Sequence, residues 1–179
     1  EVALLSSSGP ADTIITRVGD GRVLKVSHTA ASVAGFTITK GILRDMNSGG
    51  TGLQLINGTV SNCVITGNSG YGNGAGAHIT GGLLTGCVVA GNTAISAFAS
   101  NGGGGIFQEG GTVTGCLIAN NYAYLHGGGA CLYDGTITHS IISNNYVKTA
   151  SSASGGGIYQ QNGLLRNVLI AHNGSAETM

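Results

Sequence analysis

The chain has 179 residues, of which 41% are hydrophobic, 8% charged and 34 are glycine; seven basic and seven acidic side chains leave a formal net charge of zero. Disordered segments combine low hydrophobicity with high charge, so a mean hydropathy of +0.25 excludes a glycine-rich linker, and a single proline excludes collagen and polyproline. The neutral balance offers nothing to attract nucleic acid or an anionic membrane, and no apolar run approaches the ~18 residues of a membrane span.

Read in order, residues 13–31 (TIITRVGDGRVLKVSHTAA) close a degenerate N-terminal turn, 1–31, and regular repeats fill 32–179. The copies begin at 32 (SVAGFTITKG…), 59 (TVSNCVITGN…), 83 (LLTGCVVAGN…), 112 (TVTGCLIANN…), 136 (TITHSIISNN…) and 164 (LLRNVLIAHN…), with periods of 24, 29, 24 and 28 from residue 59 onward. Each holds two short strand-like runs divided by glycines, and none carries a helical 3.6 period. Such a unit makes one circuit of a three-sided solenoid whose strands stack in parallel, ~4.8 Å from coil to coil. The expectation is one all-β domain, 1–179, a parallel β-helix with three short strands per coil and about seven coils. Glu1 in place of Met points to a processed, excised or partial chain, part of a longer protein.

Stacking turns the repeats into columns. Three inward columns are expected on consecutive strands: Val33, Val60, Leu84, Val113, Ile137, Leu165; then Phe36, Cys63, Cys87, Cys116, Ser140, Val168; then Ile38, Ile65, Val89, Ile118, Ile142, Ile170. Leu53, Ala77, Ile106, Ala130 and Ile158 form a fourth. Asn68, Asn92, Asn121, Asn145 and Asn173 fall three residues after the third column, where the chain must turn. Asparagine tolerates the left-handed conformation, bonds nearby backbone, and stacks into amide ladders. By period two, Thr37, Val64, Val88, Leu117, Ile141 and Leu169 point outward beside a column of small residues, Thr39, Thr66, Ala90, Ala119, Ser143 and Ala171. An aliphatic outer face is unusual on a solvated sheet, so Val64, Val88, Leu117, Ile141 and Leu169 are the candidate interaction face.

These residues resemble the right-handed parallel β-helix repeats of secreted and surface bacterial proteins. The motif likeness is to polymorphic outer membrane proteins with GGAI and FxxN repeats. GGGI stands at 103–106 and 155–158 and GGGA at 127–130; Ile65–Asn68, Val89–Asn92, Ile118–Asn121, Ile142–Asn145 and Ile170–Asn173 answer the second motif with Ile or Val for Phe. The resemblance covers 32–179 and implies a right-handed coil in a secreted or cell-surface protein, adhesin-like and structural. The same coil also serves polysaccharide lyases and hydrolases, which makes a fragment of such an enzyme, or a carbohydrate-binding β-helix, the alternative.

Chemistry-bearing residues are sparse. Glu109 and Asp134 are the one acidic pair expected on adjacent coils, with His78 and His139 as neighbours, and they are the candidates if the chain is a lyase or hydrolase. Their shortage favours a non-catalytic module without cofactor or metal, whose partners are a second copy, flanking parts of a longer protein, or polysaccharide. Cys63, Cys87 and Cys116 share a column as buried thiols, with side chains too nearly parallel for a bridge, and Cys131 stands alone. GNGAG at 72–76 lacks the lysine and the strand–loop–helix context of a phosphate loop. Asn57 and Asn173 open glycosylation sequons at turns. Variable loops, 41–49, 93–102 and 147–154, are expected to project from one edge. An ice-binding face is weakened by the bulky aliphatics and the want of a regular Thr-x-Thr.

Overall fold

The computed structural model describes residues 2–95, 102–148 and 153–176. All regular elements among them are β-strands of two to nine residues, and the strands pair in parallel. One coil illustrates the path. Ala77–Ile79, Leu83–Thr85, Val88–Ala90 and Thr93–Ala94 follow one another on a first, second, third and fourth face, and each pairs with its equivalents in the coils before and after. The result is a parallel β-solenoid.

The strands gather into sheets of 11, 7 and 6 strands, the three sheets that three strands per coil predict. The largest sheet bends through a corner, so each regular coil enters it on both the first and second faces. In two coils that corner is crossed by one unbroken strand, Ile106–Thr114 and Ala130–Thr138, with register shifts around Glu109.

The solenoid makes about six turns, one fewer than expected. At the N-terminal end two strands open the stack. Val2–Leu5 lies in register on Ala31–Ala34 of the second face, and Ile14–Thr16 on Thr37–Thr39 of the third. On the first face the series opens one coil later, with Leu24–Val26 pairing Leu53–Leu55.

The inward columns fall where period two places them. Val60, Leu84, Val113 and Ile137 are consecutive register partners and fully buried, as are Ile38, Ile65, Val89, Ile118 and Ile142. Burying each such side chain contributes ~1.5–3 kcal/mol, which is how a core forms without tryptophan. Burial fails at the ends of the stack: Ile170, one coil beyond fully buried Ile142, and Leu4, in register with Val33, are each 44% exposed. A satellite cluster of Ala75, Ala94, Ala123 and Val147 lies between the glycine-rich corner and the fourth face.

Left-handed backbone sits one residue earlier than expected. The corner into the amide column is turned by Gly67, Gly91, Asn120, Asn144 and His172, with φ of 54–65°, and not by the asparagines of the column itself. The turn residue sits at the corner, which leaves the next side chain free to point inward. The loop expectation for 41–49 meets a short strand, Ile42–Leu43, and a turn closed on Asp45, whose carboxylate accepts from the Asn47 N–H and the Ser48 hydroxyl. Residues 96–101 and 149–152 of the other two loops lie outside the described residues.

Candidate functional site

Three constellations stand out. The first is the amide column. The main-chain N–H and the Nδ2 of Asn92 both donate to Oδ1 of Asn121, each at 3.0 Å, and Nδ2 also reaches the Ile65 carbonyl at 2.9 Å. Asn121 repeats this on Asn145 and the Val89 carbonyl, and Asn145 on Asn173 and the Ile118 carbonyl, at 2.9–3.0 Å throughout. Asn68 donates likewise to Asn92, and its own Oδ1 accepts from the Gly41 N–H at 2.9 Å. Every polar atom of Asn92, Asn121 and Asn145 is thus satisfied although the side chains are buried. The Nδ2 of Asn173 donates inward to the Ile142 carbonyl, so its sequon amide belongs to the same column.

A stripe of glycine makes room for the amides. A Cβ on Gly129 would stand 2.7 Å from Nδ2 of Asn145 and 2.6 Å from the Gly157 carbonyl oxygen; Gly105 meets Asn121, and Gly157 meets Asn173, in the same way. The glycine and asparagine motifs are two sides of one contact across the interior. Truncating Asn121 to alanine leaves the Asn92 N–H without its acceptor and takes one bond each from the Asn92 amide, which keeps the Ile65 carbonyl, and from Oδ1 of Asn145, which keeps the Asn121 N–H. An unsatisfied buried group costs ~1–3 kcal/mol. Asn121→Ala is therefore expected to lose about 1–3 kcal/mol in urea unfolding; a variant within 0.5 kcal/mol (roughly the scatter of neutral substitutions) would mean the column is decorative.

The cysteine column uses the same device. The Cys63 N–H points at Sγ of Cys87 at 3.4 Å and the Cys116 N–H at Oγ of Ser140 at 3.1 Å, while each thiol donates to the carbonyl two residues before it. All four cysteines are free. Hydrogen bonding to Cys116 and Cys63, with burial, holds the Cys87 thiol far above its ordinary range, and burial alone pushes Cys131 up to about 12. Cys131 and Phe107 stand at outward positions of the first face yet are buried: Cys131 lies against Gly102, which stacks in parallel with His126 and Ser154, and the Phe107 ring meets those of His78 and Tyr133.

The second constellation is the acidic corner. Glu109 and Asp134 are direct register partners, and Nε2 of His78 lies 2.7 Å from Oε2 of Glu109. The His78 ring meets Phe107 edge-on, and Phe107 meets Tyr133. His139 is elsewhere. It turns the next corner with φ of 48° and bonds Thr138 and Asn167. Asp134 spends one carboxylate oxygen on its neighbour's Gly135 N–H. Among the described residues no three His, Cys, Asp or Glu side chains come together as a metal set, and no helix is long and apolar enough to cross a membrane.

The third is the outer aliphatic column. Register pairs Ile14, Thr37, Val64, Val88, Leu117, Ile141 and Leu169 in one line up the third face. Val64 and Val88 are half-buried, while Leu117, Ile141 and Leu169 are 37%, 43% and 58% exposed. Comparison of the chain with protein-family models, with curated proteins and with solved structures gives no match.

Proposed function

We propose that the chain is a non-catalytic structural and interaction module of a secreted or cell-surface protein, with repeats of the polymorphic outer membrane protein type. In this reading it self-associates through its third face. The observation that carries it is the aliphatic column. Val64, Val88, Leu117, Ile141 and Leu169 lie on consecutive coils ~4.8 Å apart, a strip ~20 Å long, flanked by alanine, serine and threonine on the same flat face. Apolar strips of this kind mark interaction sites. A flat strip matches its own copy, because a two-fold axis lays the same column on itself.

Sedimentation across a concentration series tests this. The wild-type chain is expected to dimerise, and Leu117→Lys with Ile141→Lys to remain a folded monomer with a cooperative melt, lower than wild type only by what association adds. A wild-type chain that stays monomeric at high concentration refutes the reading, and unfolding of the double variant would mean the strand phase is inverted. The non-catalytic half is tested with pectin, alginate and hyaluronan. No cleavage is expected, and turnover that disappears in Glu109→Gln would overturn it in favour of a lyase or hydrolase built on the Glu109–His78 pair.

A further inference from the structure

Three thiols stand one above another inside the solenoid. Cys63, Cys87 and Cys116 occupy the corner between the second and third faces on successive coils, and each is at most 3% exposed. Their side chains point the same way. Every thiol donates to the carbonyl two residues before it, at 3.2–3.4 Å, and Cys87 and Cys116 also reach the Val60 and Leu84 carbonyls of the preceding coil, both at 3.7 Å. A shared orientation carries the coil spacing of ~4.8 Å over to the sulfur atoms. That is too wide for a disulfide, whose Cβ atoms approach to ~3.5–4.5 Å. It matches two metal–sulfur bonds of ~2.3 Å laid end to end.

The surroundings narrow the choice of ion. The Phe36 N–H lies 3.5 Å from Sγ of Cys63, and the Cys63 N–H 3.4 Å from Sγ of Cys87. Such bonds favour thiolate over thiol and support ligated sulfur from behind. Hydrogen bonding with Cys87, helped by the Phe36 and Gly35 N–H groups, holds the Cys63 thiol below its ordinary range. The three cysteines otherwise belong to the aliphatic core. Among the described residues no three His, Cys, Asp or Glu side chains converge on one point. Zinc, which takes four ligands in structural sites, is poorly served by this arrangement. A soft, closed-shell cation that accepts two thiolates in line is well served.

We propose that the cysteine column binds a soft cation of the Cu(I) or Hg(II) kind, held linearly between Cys87 and the thiolate of one adjacent coil, Cys63 or Cys116. One ion replaces two thiol protons. With Hg(II) the product is neutral, as an apolar core prefers. With Cu(I) it carries one negative charge, which the Phe36 and Cys63 N–H groups face. Cys87 is the shared ligand, because Cys63 and Cys116 lie two coils, ~9.6 Å, apart and one ion does not span them. Entry requires local opening of the corner, so uptake is slow. The site lies within the coil and is independent of the third face.

The test titrates the reduced 179-residue chain anaerobically with Cu(I) against a competing chelator and, separately, with Hg(II). X-ray absorption is expected to show two sulfur neighbours at ~2.3 Å, with the circular-dichroism spectrum of the folded chain retained. Cys87→Ser is expected to bind about 100-fold or more weakly, the gain that a second tethered ligand supplies. Serine already stands in this column at Ser140, where its hydroxyl accepts the Cys116 N–H, so the variant should fold. Cys63→Ser and Cys116→Ser each keep one adjacent pair and should bind one ion as the wild type does; Cys131→Ser, outside the column, is the control. Binding of either ion in this form supports the proposal. Hg(II) alone marks a site that demands a neutral product, and Cu(I) as well marks one whose N–H groups carry the charge. Failure of both ions, three or more sulfur neighbours, unfolding as the metal enters, or a folded Cys87→Ser that binds like wild type overturns it.

Discussion

Replacing Ile118 with aspartate is expected to leave the chain unfolded or insoluble. Ile118 is fully buried between Val89 and Ile142. The substitution removes an aliphatic side chain whose truncation alone costs ~2–5 kcal/mol. It also places a carboxylate where the nearest polar groups, the Asn121 and Asn145 amides, are already committed to one another. An unpaired buried charge adds several kcal/mol, and domains have only ~5–15 kcal/mol to lose. Ile141, one residue earlier in the neighbouring coil, points outward at 43% exposure. Ile141→Asp is expected to melt within about 0.5 kcal/mol of wild type at concentrations where both are monomeric. Circular-dichroism melts of the pair decide the matter, since a cooperative, near-native melt for Ile118→Asp would overturn the assignment of inward and outward columns.

Gly129→Ala should be nearly as damaging, for a different reason. The backbone at Gly129 is not left-handed, so conformational preference is not what requires glycine there. The methyl would instead meet the Gly157 carbonyl, the Asn145 amide and a methyl of Ile142, all at 2.6–2.8 Å. Two of the three are fixed by the sheet and the core, so the Asn145 amide must yield, and its bonds to Asn173 and the Ile118 carbonyl go with it. Overpacking costs ~1–3 kcal/mol and each abandoned buried polar group ~1–3 kcal/mol more, for a total of about 3 kcal/mol or above. Gly174→Ala is the control, because its methyl would meet only the Tyr146 ring at 4.0 Å. Equal urea midpoints for the two variants would disprove the close-approach account.

Columns were legible in the sequence because parallel stacking sets each residue on its equivalent one coil away. Cys63, Cys87 and Cys116, or Ile65, Val89 and Ile118, can be aligned by eye; Ile65, Val89 and Ile118 are register partners, and the Cys63 N–H lies on the Cys87 thiol. The partnership of Glu109 with Asp134 and His78 followed from the same alignment. Other features escaped it. Period two marks Phe107 and Cys131 as outward, and nothing local in the sequence says that the segment through Gly102 runs alongside Cys131 or that the His78 and Tyr133 rings close on Phe107. His139 is only five residues from Asp134, yet a corner intervenes and carries its ring to another face. The amide column was visible, but the glycine stripe that accommodates it was not, because that contact spans the interior between segments 16 residues apart, as in Gly129 and Asn145. The pairing of Leu24–Val26 with Leu53–Leu55 was hidden too, since the degenerate segment 1–31 gives no sign of which of its strands belong to which face.

The unbroken strands at the bent corner carry one more implication. Gly111 and Gly135 occupy the same place on successive coils, both with positive φ, and each is followed by threonine. Excising 112–135 would splice Gly111 directly to Thr136, reproducing a junction the chain already contains. Asn92 would then meet Asn145, Val89 would meet Ile142, and each column would close over the gap with its cross-section unchanged. Removing a single residue does the reverse, turning every later side chain in that strand to the opposite face. The molecule's length is therefore quantised. Whole coils can be gained or lost by duplication and deletion along such a gene, while the smallest in-frame changes within a strand are the ones selection removes.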